Sequence, residues 1–118
     1  MYATSDLDAV EVSIEDAKKK IALFRALEKL QKNKDFKLLI NTGYLENEAI
    51  RLVHLKSDFN MTAPEQQEFI DRAIVSIGNF RSYLSSIYQQ GHGAIQALED
   101  HEQTREAILA EELQNGDD

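Results

Sequence analysis

The sequence contains no cysteine and no tryptophan, only one proline and only five glycines. Without cysteine there can be no disulfide, no thiolate metal site and no cysteine nucleophile, and a cytosolic life is the default expectation. So few turn-forming residues argue against an all-β fold, which needs many tight turns. No apolar run approaches the ~20 residues needed to cross a bilayer, so no membrane span is expected. No charged start followed by an apolar stretch opens the chain, so a secretory leader is not expected either.

What remains is a chain of 118 residues, the length of one domain, with 42% hydrophobic and 29% charged residues. The net charge of -8 is unevenly spread. Residues 1–16 hold five acids and no base; residues 18–37 hold eight bases and two acids; residues 99–118 hold eight acids and one base, Arg105. A basic segment is thus flanked by two acidic ones. One reading is a set of solvated helix faces; a sharper one pairs the acidic C-terminal stretch with the basic segment of the same chain or of a neighbour.

The apolar spacing is helical almost throughout. Residues 1–12 show no clear period and read as a flexible arm, with a short extended piece at Val10–Val12. Ser13 reads as an N-cap with Asp16 three residues on, and Ile14, Ala17, Ile21, Phe24, Leu27 and Leu30 form one apolar helix face. Lys18, Arg25, Lys29 and Lys32 fall on the other side as a basic face. Asp35 is a plausible cap for a second helix from Phe36 to Lys56, in which Gly43 marks a kink or a break. Thr62-Ala63-Pro64-Glu65 is the strongest local signal: Thr62 as cap, Glu65 reaching back to it, and proline in the first turn.

The helix that follows carries Ile77, Phe80, Leu84, Ile87, Gly91, Ala94 and Leu98 at spacings of three and four, a heptad-like stripe. It is expected to run to about Glu112, with Gly91-His92-Gly93 as the place where it bends, frays or stops. The expected fold is therefore all-α: a helical hairpin or small three-helix bundle with a long C-terminal helix, one helical domain over residues 13–112 and a disordered tail over 113–118. The stripe on the long helix is expected to outrun its neighbours and to be covered by another chain, which makes a homo-oligomer the expected state.

The chemistry-bearing residues form no catalytic constellation. His54, His92 and His101 lack one-turn ligand spacing, and no zinc-protease or calcium-loop motif is present. Glu46 and Glu48 are candidate acid–base carboxylates only by their nearness to Gly43, and neither lies on an apolar stripe. No phosphate-binding glycine loop or nucleophile elbow occurs. No enzyme activity, metal or cofactor is expected. The basic face is the one footprint for nucleic acid, and the acidic balance of the whole chain weighs against it.

Two groups of words carry a resemblance. The first runs from Asn33-Lys34-Asp35-Phe36 to Gly43-Tyr44-Leu45-Glu46 and Glu48-Ala49-Ile50-Arg51-Leu52-Val53. The second is Glu65-Gln66-Gln67, Ile77-Gly78, Phe80-Arg81 and Gln89-Gln90-Gly91, followed by an acidic helical tail. Over about residues 27–113 the chain resembles small, acidic, helical proteins encoded among the virion-structure and assembly genes of tailed bacteriophages. The resemblance implies a non-enzymatic phage protein that works by contact with other phage structural proteins or with a host protein, in the virion or the host cytoplasm. It brings no functional residue with it. Two other roles stay open: an acidic inhibitor that binds a host protein, and a DNA-packaging recognition subunit.

Overall fold

The computed structural model describes residues 4–116, and within them every regular element is helical. Helix α1 spans Thr4–Gln31, and a single turn, α2, spans Lys34–Phe36. A π-helical segment follows over Lys37–Glu48 and runs directly into α3, Ala49–Lys56. After a 3-10 turn at Phe59–Met61, α4 extends over Pro64–Gly116, 53 residues without interruption. The all-α expectation and the long C-terminal helix are what is found.

Several local expectations are corrected. The described part of the N-terminal arm is helix, not a flexible or extended stretch, because Leu7, Val10 and Ile14 continue the apolar face of α1 by about two more turns and pack against Ile108 and Leu98. Ser13 therefore caps nothing; its hydroxyl donates to the Ala9 carbonyl one turn back. The cap before α2 is Asn33, whose side-chain oxygen accepts from the Phe36 N–H at 2.9 Å, so the second helical run starts earlier than a cap at Asp35 implied.

That run is one continuous helical coil from Lys34 to Lys56 whose middle is widened, and it is not broken into two helices at Gly43. A π turn takes its acceptor five residues back. Gly43 fits this: a Cβ there would lie 3.0 Å from the Leu38 carbonyl oxygen. At the start of α4 the reciprocal cap is displaced by one residue. Gln66, not Glu65, reaches back, and it meets the Ala63 N–H at 3.2 Å while the Ala63 carbonyl accepts the first helical bond from Gln67.

Helix α4 continues through Gly91-His92-Gly93 and on to Gly116, so it does not stop there and residues 113–116 of the expected tail are helical. The tail's last two positions, like the first three of the arm, lie outside the described residues.

The chain divides into two compact units, residues 4–25 with 87–116, and Ala26–Ser86. In the first, α1 and α4 run antiparallel: Glu11 meets Arg105 at 3.5 Å, while Phe24 meets Tyr88 and His92 edge-on. Val10, Ile14 and Ile108 form its core, the last only 1% exposed. Gly91 is the close-approach point, since a Cβ there would overlap the Phe24 ring, 2.7 Å from Cδ2.

In the second unit Leu52, Ile70 and Ile77 form the core, joined by Tyr44, Leu45, Met61 and Ile74. Each of the three buried side chains contributes about 1.5–3 kcal/mol. The run from α2 to α3 lies antiparallel to α4, with Tyr44 edge-on to Phe80 at 5.8 Å and the Arg81 guanidinium donating to the Leu45 carbonyl at 3.0 Å. Lys56 closes the other end on Asp71. The Asn41 and Gln31 side-chain amides bond to each other at 2.6 and 3.5 Å and tie the π segment to the end of α1.

Candidate functional site

The expected interface seam is packed within the chain. Ile77 belongs to the second unit's core and Phe80 leans on Tyr44. Gly91 and Ala94 are buried, and Leu98 packs on the Val10, Ile14 and Ile108 cluster. Leu84 and Ile87 are half-buried, so none of the seven is an exposed contact side chain. The seam does not outrun its neighbours, because the helical arm at 4–12 supplies the missing cover.

The basic face is where the spacing put it. Lys18, Arg25, Lys29 and Lys32 are all exposed, with the Arg25 guanidinium 5.4 Å from the centre of the Phe24 ring. The acidic tail does not lie on it. In the first unit the tail packs beside the acidic half of α1, with Ile108 against Val10 and Ile14, and the single base of the tail, Arg105, pairs with Glu11. Like charge is gathered there: residues 4–16 and 99–116 together hold eleven acids and Arg105 alone, a net -10.

The candidate acid–base and metal residues are not assembled. Among the described residues no group of three or more His, Asp or Glu side chains converges. His54 is exposed, His92 lies against Phe24, and His101 is half-buried. Glu46 is exposed. Glu48 is engaged in a bidentate pair with Arg51 one turn on, at 2.9 and 2.5 Å. Those hydrogen bonds hold the Glu48 carboxyl below its ordinary range, with the Arg51 charge adding to them, and raise the Arg51 guanidinium further. Neither carboxylate has the surroundings of a buried, proton-transferring group.

Two surface features went unread in the sequence. The first is a shallow groove between α1 and α4 of the first unit. One stretch of it encloses about 470 Å³, and a second, about 440 Å³, continues it through the shared Ser13 and His101. Its signal is a run of short side chains spaced by one turn, Ala9, Ser13 and Ala17 on α1 and Gly93 and Ala97 on α4, a pattern masked by the longer apolar residues beside it.

The second feature is the number of large apolar side chains left in water, from Val12 on α1 to Leu113 on α4, with Phe59 84% exposed. In the second unit they include the adjacent pair Leu38 and Leu39 on the π segment, as well as Val53 and Phe69.

No described helix is long and apolar enough to cross a membrane. Compared with family models, curated proteins and solved structures, the chain finds no match in any of the three.

Proposed function

We propose that the protein is a non-enzymatic helical interaction factor that associates with itself and acts by protein–protein contact. One observation carries this reading. Among the described residues ten apolar side chains are buried, while fourteen large ones stand more than a third exposed. A chain of this length gains stability mainly from apolar burial, and one that leaves so much apolar surface outside is of the kind that completes its burial against another chain. The setting, assembly or structure of a bacteriophage virion, rests on the resemblance of word order alone.

The test is the mass of the purified chain by light scattering across a hundredfold range of concentration. A concentration-dependent oligomer is expected; a monomer throughout overturns the reading.

A second reading is supported by the net -10 gathered in residues 4–16 and 99–116. A surface so charged suits a basic groove on a host protein, which would make the chain an acidic inhibitor. Glu99→Gln, Glu106→Gln and Glu112→Gln together test it. Truncation would not, because the same helix turns carry Ile108 into the core. Capture of a host protein by the wild type and not by this variant is expected; equal capture ends the second reading.

A further inference from the structure

We propose that the groove between α1 and α4 of the first unit is where a second copy of this chain docks, antiparallel, so that two helix pairs close into a four-helix bundle. This rests on the self-association reading and names its site and orientation.

The second unit brings a third helical run, α2 to α3, onto α4. The first unit is made of two helices only, 4–25 and 87–116. The groove is the open side of that pair. Its floor is Ala9, Ser13 and Ala17 opposite Gly93, Ala94 and Ala97. Side chains this short let another helix approach to the ~8–10 Å at which helices pack. Val12, on the rim and 69% exposed, is the large apolar side chain that such a floor receives.

Charge chooses the occupant and the orientation. The outer half of the unit, residues 4–16 and 99–116, carries a net -10; the inner half, residues 17–25 and 87–98, holds Lys18, Lys19, Lys20 and Arg25 and no acid. Two copies laid parallel would set -10 against -10. Laid antiparallel about Ser13, Asp6 on the lining of each copy meets Lys20 on the lining of the other, so the lining is complementary to itself, as a twofold interface must be. Ser13 stands midway along the groove on α1, seven residues from Asp6 at one end and seven from Lys20 at the other. The twofold axis therefore passes near Ser13.

Gly93 supplies a clean test, because a Cβ there meets nothing within 4 Å, and neither does one at Gly78 in the second unit. Gly93→Gln fills the groove while leaving the helix pair intact, and it should weaken the oligomer at least tenfold by light scattering with no loss of helix content by circular dichroism. Gly78→Gln should leave the oligomer unchanged. In the cysteine-free background, Ser13→Cys should form a covalent dimer on oxidation. Asp6→Cys alone should not, but Asp6→Cys mixed with Lys20→Cys should. An oligomer that survives Gly93→Gln, or one in which Asp6→Cys links to itself, overturns this proposal and leaves self-association standing. A wild-type chain that is monomeric at every concentration overturns both.

Discussion

The two units are built on the same two helices, yet they differ in charge, in helix geometry and in how their apolar faces are closed. The first has eleven acids to five bases among its described residues; the second has eight of each. The first uses regular α-helix throughout. The second inserts twelve π-helical residues between α2 and α3 and so brings Tyr44 and Leu45 onto its core. Widening a helix shifts which side chains face inward by about one residue in every turn, which lets one face meet two differently placed neighbours. The comparison teaches that the second unit covers α4 with a third helical run yet leaves nine of the fourteen large exposed apolar side chains in water, whereas the first stops at a pair of helices with one side open.

The strongest way to break the comparison is to empty each core. Leu52→Ala in the second unit and Ile108→Ala in the first should each cost about 2–5 kcal/mol, read as a fall in thermal midpoint. Hydrogen exchange should accelerate first in the unit that carries the change. Equal loss of protection in both units would show that the division has no energetic meaning.

A smaller and sharper contrast lies within three residues of α4. Gly91→Ala forces a Cβ into Phe24 and should destabilise by about 1–3 kcal/mol. Gly93→Ala meets open space and should stabilise by about 0.5–1 kcal/mol. The same sign for both would mean that Phe24 does not sit over Gly91.

The smallest expected effect concerns the second unit's surface. Because Arg51 holds the Glu48 carboxyl below its ordinary range, the pair's contribution is present at neutral pH and fades as pH falls through the folded-state value. Glu48→Gln should therefore lower the thermal midpoint slightly at pH 7 and leave it unchanged in acid well below the carboxylate range. An effect of equal size in acid would assign it to packing rather than to charge.

These contrasts also mark how far the residues could be read in one dimension. The stripe from Ile77 to Leu98 was legible because helical period and burial agree over several turns. What it packs against was not, because nothing local distinguishes a seam covered by the same chain from one covered by another. The arm was misread for a related reason: Leu7 and Val10 are two apolar positions among acids, and only Ile108, about a hundred residues away, makes them a helix face. The groove was missed because short side chains have no hydropathy signal; its existence depends on two stripes of them being brought side by side.

By itself the sequence determined the helical class, the long last helix and the separation of charge, since each follows from composition or from a period carried by neighbouring residues. Only the tertiary structure decided that residues 4–12 of the arm are helix, that the middle run is widened around Gly43, that the acidic tail lies on the acidic half of α1, and that a groove remains beside it. Those features depend on contacts between residues far apart in the chain, and packing free energy at such contacts outweighs local preference.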